Sequence, residues 1–179
     1  MTATDHDEES PGEPVDFLAF TAARGPHLYR TAFLLTGGDA HQSQDLVQET
    51  LARLYARWGR YARLDHPGAY ARTILTSVFL SQRRRRSNSE QPDGIIPGSA
   101  ADQGASVDPD LRVTLLGALR SLPERDRAVL VLRFWEDRSV EETASLLSIS
   151  SAAVRTRTAR ARERMRHVLG DSLADSTGL

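Results

Sequence analysis

The run from Ser139 to Arg166, SVEETASLLSISSAAVRTRTARARERMR, constrains the fold more than any other stretch of the chain. Ser139 followed three residues later by Glu142 is a capping box: the hydroxyl takes the Glu142 amide and the carboxylate reaches back to the Ser139 amide. A helix therefore starts here, with Val140, Thr143, Ala144 and Leu147 on one stripe. Ser148-Ile149-Ser150 breaks the period, and Ser150 or Ser151 is placed to cap a second helix. At about 100° per residue, Val154, Thr158, Ala161, Met165 and Val168 gather on one side of that helix. Ala152, Arg155, Thr156, Ala159 and Arg160 gather on the other. The first set packs. The second alternates small residues with arginines, which suits a helix entering a major groove, where arginine bonds the guanine edge with two hydrogens. The outline is a helix-turn-helix.

The rest of the chain reads as helical too. Asp16 precedes a segment carrying Phe17, Leu18, Phe20, Leu28, Phe33, Leu34 and Leu35, with Gly25-Pro26 as a kink and Gly37-Gly38 as its end. Asp39 with Gln42 opens a second helix whose stripe is Leu46, Val47, Leu51, Leu54, Tyr55 and Trp58, with Gly59 as the stop. Its opposite side holds Gln44, Asp45, Gln48 and Glu49. A third helix starts near Asp65 with Pro67 in its first turn. Tyr70, Ile74, Leu75, Val78 and Phe79 cover one arc of it, and Thr73, Thr76, Ser77 and Leu80 another, before Arg83, Arg84, Arg85 and Arg86. Hydroxyls and one apolar residue leading into four arginines make a surface for phosphates and unstacked bases. Helical pattern resumes at Leu111, Leu115, Leu116, Leu119 and Leu122, and Ser121 with Glu124 forms a further capping box before Ala128, Val131, Leu132 and Trp135. With no β-alternating run, internal repeat or heptad, the expected fold is all-α.

Charge divides the chain where composition alone does not. The net charge is −1, yet residues 17 to 86 hold eleven arginines against four acids and residues 111 to 169 hold twelve against seven. Residues 1 to 16 and 87 to 110 hold acids and no base. Two basic blocks separated by acidic, Gly-, Pro- and Ser-rich segments predict two small nucleic-acid-facing helical domains, 16–86 and 111–169. A disordered terminus, 1–15, a flexible linker, 87–110, and a short tail, 170–179, complete the chain. Ile95-Ile96 is the only adjacent bulky apolar pair in the linker. No apolar run reaches membrane-spanning length, and the N-terminus carries no export signal, so the expected location is cytoplasmic.

Catalytic chemistry finds no foothold. The chain has no cysteine, and its five histidines show no ligand spacing. Gly37-Gly38 lacks the lysine and hydroxyl of a phosphate loop, and no carboxylate pair sits in an acid–base context. Neither enzyme activity, nor a cofactor, nor a metal is expected.

Three stretches together resemble a known family. They are Asp45-Leu-Val-Gln-Glu-Thr with Leu54-Tyr-Ala-Arg-Trp58; Ala69-Tyr-Ala-Arg72 leading to Arg83–Arg86; and Leu122-Pro-Glu-Arg-Asp-Arg-Ala-Val-Leu130 followed by the helix-turn-helix. In this order they are similar to the extracytoplasmic-function sigma factors of the sigma-70 family, in particular the actinobacterial sigma-E-like group, over roughly residues 16 to 168. The resemblance implies a factor that binds core RNA polymerase, recognises the −35 and −10 promoter elements and opens DNA. Asp45, Gln48 and Glu49 would meet the clamp helices of the polymerase β′ subunit. Arg72, Thr73, Thr76, Ser77, Leu80, Arg83, Arg84, Arg85 and Arg86 would hold the melted −10 element, with one base flipped out. Ser151, Ala152, Arg155, Thr156, Arg157, Ala159 and Arg160 would meet the −35 duplex while the surrounding domain docks on the β flap. The linker would thread towards the active-site cleft.

The resemblance also implies a monomer when free and, as in many relatives, an anti-sigma factor as a further candidate partner. Two positions depart from the family pattern. Ser77 stands where asparagine is common, which bears on the flipped base. Ser148 stands where the turn commonly has glycine, so the turn either differs or carries strain. An autonomous operator-binding regulator and a sigma-like decoy that only sequesters a partner are the alternatives.

Overall fold

A computed structural model describes residues 16–64, 66–88 and 109–177. The acidic N-terminal segment, nearly all of the linker and the Ile95-Ile96 pair lie outside them. The described residues form eight α-helices and one π-helical turn, with no strand among them: α1 (Phe17–Leu35), α2 (Ala40–Tyr55), the single turn α3 (Trp58–Tyr61), α4 (Pro67–Asn88), α5 (Pro109–Ser121), α6 (Glu124–Leu130), the π-helical turn Val131–Trp135, α7 (Val140–Leu147) and α8 (Ser151–Thr177).

Most boundaries follow the local chemistry. Asp16 caps α1 by accepting from the amides of Leu18 and Ala19 at 3.0 and 3.1 Å. Pro26 sits within α1, which runs on to Leu35 and ends before Gly37 and Gly38, both at positive φ. Asp39 caps α2 through the Gln42 amide, but the Gln42 side chain returns to the Asp39 carboxylate rather than to its backbone. Ser139 and Glu142 form the full reciprocal box at 3.0 and 2.7 Å.

Two expected boundaries are corrected. Gly59 does not stop α2, which ends at Tyr55; Gly59 lies inside α3. Ser121 does not cap α6: it closes α5 and donates to the Ala118 carbonyl at 2.7 Å, while Pro123 precedes α6 without a side-chain cap. Proline's fixed φ supplies the starting geometry there without a hydroxyl.

The turn between α7 and α8 keeps the left-handed conformation with serine in it: Ser148 has φ 53° and ψ 48°. The Ile149 amide bonds back to the Ala144 carbonyl at 3.0 Å, closing a Schellman-type end. Ser150, not Ser151, caps α8, accepting from the Ala153 amide at 3.1 Å. Of the two possibilities the sequence left open, the turn has its usual shape and carries the strain.

One apolar cluster joins the two halves of the chain. Phe20, Leu28, Leu35, Leu46, Leu54, Leu75, Val78 and Phe79 come from α1, α2 and α4, and Ala128 and Val131 from α6 and the π-helical turn. A smaller cluster of Val129, Ala144 and Val154 holds α6, α7 and α8 together. Full burial of a valine such as Val154 contributes about 1.5–3 kcal/mol.

Candidate nucleic-acid interface

α8 presents the two faces its sequence spells. Val154 and Ala161 are completely buried, and Thr158, Met165 and Val168 are half-buried, while Ala152, Arg155, Thr156, Ala159 and Arg160 are exposed. Ser151 is half-buried. Arg157, expected among the DNA contacts, turns inward: its Nη1 donates to the buried carboxylate of Asp126 at 2.7 Å, and Arg164 reaches the other oxygen at 3.5 Å. Asp126 thus clasps α8 to α6. Arg155 lies 3.5 Å from the exposed Glu141, a pairing between two solvated groups that costs little to exchange for a phosphate or a base.

On α4, Thr73 and Ser77 are exposed and Leu80 is half-buried. Thr76 is corrected: it is 2% exposed and its hydroxyl donates to the Arg72 carbonyl, so it belongs to the packing side. Threonine satisfies its own hydroxyl on the preceding turn, which lets it sit among Leu75, Val78 and Phe79. Ser77 borders a hollow of about 430 Å³ whose other walls are Arg53, Ala56, Arg57, Tyr61 and Ile74. Tyr61 packs against Tyr70 with ring centroids 5.5 Å apart. An aromatic face, two guanidinium groups and a hydroxyl converge there, the components that hold an unstacked base and its phosphate.

The α4 arginines are not all open. Arg84 is exposed, but Arg83 Nε is 2.8 Å from Glu124 and Arg86 Nη2 3.7 Å from the same carboxylate. Arg72 Nε lies 3.1 Å from Glu136, off the line of a directed hydrogen bond, so the pair is held by charge. Arg85 and Gln82 both reach Glu49, at 3.3 and 2.8 Å.

That contact divides the polar face of α2. Asp45 and Gln48 point to solvent, with His41 Nδ1 at 3.3 Å from Asp45. Glu49 leans towards α4 instead. The Gln82 amide holds its carboxyl below the usual range, with Arg53 and Arg85 acting the same way against the opposing cost of burial. In the cap of α7, the Ser139 amide and then Arg138 likewise lower Glu142.

Sequence reasoning missed several residues around these faces. Arg53 of the hollow sits on α2, Arg57 just before α3 and Tyr61 at the end of α3, and only the packing of α4 onto α2 brings them beside Ser77. Glu124 read along the chain as a cap partner of Ser121, and Asp126 and Glu136 as ordinary solvated acids; the structure turns Glu124 to Arg83 and Arg86 instead. Their partners are tens of residues away, and no local spacing marks them. Among the described residues, no group of three or more histidines and carboxylates could hold a metal, and no helix is long and apolar enough to cross a membrane.

The chain is similar to known proteins in sequence and in fold. Family models for sigma-70 region 2 and sigma-70 region 4 match residues 21–89 and 112–165. The RNA polymerase sigma-E factor of Streptomyces avermitilis is 33% identical over 168 residues, covering 94% of this chain and 93% of that one. The sigma-E factor of Streptomyces coelicolor is 34% identical over 158 residues, 88% of each chain. Among solved structures, the sigma factor RpoE of Bartonella quintana, crystallised with the anti-sigma factor NepR, superposes with a TM-score of 0.67 at 27% identity, over 87% of this chain and 97% of that one. With paired helical regions, an exposed arginine-bearing face on α8 and these relatives, the chain belongs to the sigma-70 family, in its extracytoplasmic-function, sigma-E-like group, and is a sigma factor that partners core RNA polymerase and promoter DNA in promoter-specific transcription initiation.

Proposed function

We propose a division of that task among the residues described above. Residues 16–86 act as the unit that seats on the polymerase clamp and holds the melted −10 element, and residues 111–169 as the unit that reads the −35 duplex and docks on the β flap. Residues 87–110 link the two. Asp45 and Gln48, on the open side of α2, meet the β′ clamp helices; Glu49 contributes to that face and also braces Gln82 and Arg85. The hollow beside Ser77 receives one flipped base, stacked on Tyr61, with Arg53 and Arg57 on its phosphates. A serine hydroxyl there has fewer hydrogen-bonding groups than asparagine, so shape and stacking carry more of the selection. Ala152, Arg155, Thr156, Ala159 and Arg160 enter the major groove, and Arg157 stays on Asp126. The protein works in the cytoplasm, where polymerase and chromosome are, and itself catalyses no reaction.

The observation that carries this reading is the solvent-facing side of α8, where small residues and arginines stand free of the core while Asp126, Val154 and Ala161 fasten the other side. Run-off transcription from a genomic promoter pool, with core polymerase and with or without the protein, tests it. Discrete new transcripts sharing two upstream motifs are expected. Asp45→Arg is expected to abolish them while far-UV circular dichroism stays unchanged. Full activity in that variant removes the clamp contact, and duplex binding without any transcript points to an autonomous regulator instead.

A further inference from the structure

A second hollow, of about 260 Å³, opens between α4, α6 and the turn that joins α7 to α8. Part of its lining is apolar. Leu80 and Leu147 pack against the main core cluster and Ile149 against the smaller one, and all three stay half-buried where they face the hollow. Its charge is one-sided: Arg83, Arg84, Arg125 and Arg157 bring four guanidinium groups to the lining against the single carboxylate of Glu124.

Two of those cations are committed. Arg83 Nε lies 2.8 Å from Glu124, and Arg157 Nη1 donates to Asp126 at 2.7 Å. The other two are open: Arg84 and Arg125 are exposed, and neither has a carboxylate partner among the described residues. They come from α4 and α6, elements distant in sequence, and meet at one apolar wall. An anion drawn to them there sits in a lower local dielectric than at an open surface, so each charge-assisted hydrogen bond is stronger.

We infer that this hollow is a binding site for a small amphipathic organic anion, its carboxylate held by Arg84 and Arg125 and its aliphatic body laid over Leu80, Leu147 and Ile149. Size and lining choose this class. The volume equals that of roughly nine waters at about 30 Å³ each, a little below the range that takes drug-sized ligands. One turn of a helix, about 10 Å across and 5.4 Å high, exceeds it, so a helical partner does not enter. A nucleotide lacks a stacking face, because the one ring in the lining, Phe79, is 1% exposed. A carboxylate matches the planar fork of a guanidinium, and the aliphatic wall rewards a chain behind it. Binding of the anion does not depend on the −10 role given to Arg84.

Sodium octanoate, titrated into the full chain by isothermal titration calorimetry, is the probe, and a single site is expected. Hexanoate is expected to bind about tenfold more weakly, as the loss of two buried methylenes requires. Octan-1-ol, the same body without the charge, is expected to lose about tenfold as well, the worth of one charged hydrogen bond. Arg125→Gln is expected to weaken octanoate about tenfold and to leave octanol unchanged, while Arg125→Lys, which keeps the charge, recovers most of the loss. Arg162→Gln, an equal loss of charge at an exposed residue that does not line the hollow, is expected to shift neither.

Absence of octanoate binding overturns the inference, and so does equal binding by wild type and Arg125→Gln. Octanol binding as tightly as octanoate would leave an apolar hollow with no anion site. Inorganic phosphate binding as tightly as octanoate would leave arginines that serve a bare phosphate, with no part for the aliphatic wall. A dimer in sedimentation velocity that Arg125→Gln dissociates would seat a second copy of the chain there instead. Each of these three also overturns it. If Arg125→Gln loses wild-type helicity by circular dichroism, Arg84→Gln against Arg162→Gln decides by the same titrations.

Discussion

Ser148 shows how one residue can be legible in type and undecided in conformation. Its sequence neighbours demand a left-handed residue at the end of α7, and the chain supplies a side chain that disfavours it; the structure accepts φ 53° there. The amide bonds of Ser148 and Ile149 to the carbonyls of α7 outweigh the steric cost. Ser148→Gly is expected to stabilise the protein by about 0.5–1 kcal/mol, the left-handed penalty less the extra entropy of a glycine in the unfolded chain. The midpoint of urea denaturation measures it, and a lower midpoint would show that Ser148 carries no strain. Thr76 and Arg157 teach the converse. Each lies within a helical segment whose type and period were read correctly, yet Thr76 turns into the core and Arg157 onto Asp126. Which side of a helical residue is covered depends on what packs there.

Among the elements, α8 depends on α6 more than its own length suggests. Its described apolar anchors are few, since Val129, Ala144 and Val154 are the only buried members of the cluster beneath it. Asp126 adds a charge clasp to that small core, with Arg157 at 2.7 Å. Asp126→Ala leaves the half-buried Arg157 guanidinium without its partner and is expected to cost about 2 kcal/mol. That is below the range for a fully buried pair, because Arg157 keeps access to water. Differential scanning calorimetry would show the loss as a lower melting temperature. An unchanged melting temperature would mean that apolar contacts alone seat α8. The capped starts of α1, α2, α7 and α8 were readable because a cap is local, spanning two or three residues. The missed start of α6 was a proline doing by geometry what Ser121 was expected to do by hydrogen bonding.

At the scale of the whole molecule, the two basic blocks that charge separates along the sequence are packed together. Ala128 and Val131 share a core cluster with α1, α2 and α4, and Arg127 bonds to the Leu35 carbonyl across 92 residues of chain. Unfolding is therefore expected to be one cooperative transition. Gly37→Ala places a side chain at φ 71° and against Arg127, with a backbone cost of about 1–2 kcal/mol. It is expected to lower the melting temperature and to broaden or split the transition as the halves lose their coupling. A single transition as sharp as that of the wild type, at the same temperature, would show that Gly37 is no part of the coupling.

The sequence by itself determined the helices, most of their caps, the division of α8 into a packed face and an exposed arginine-bearing face, and the order of parts that marks the family. Each of these is decided over a few residues, by hydrogen bonds to the nearest turn or by a period of 3.6. Only the tertiary structure decided which charged residues stand open to solvent and which are paired. Arg72, Arg83 and Arg86 are indistinguishable from Arg84 along the chain and are set apart by the carboxylates packed beside them. The acids that pair with them, Glu124 and Glu136, come from the far half of the sequence. Charge pairing across such separations leaves no periodic trace, because it is set by where the halves meet and not by the residues on either side.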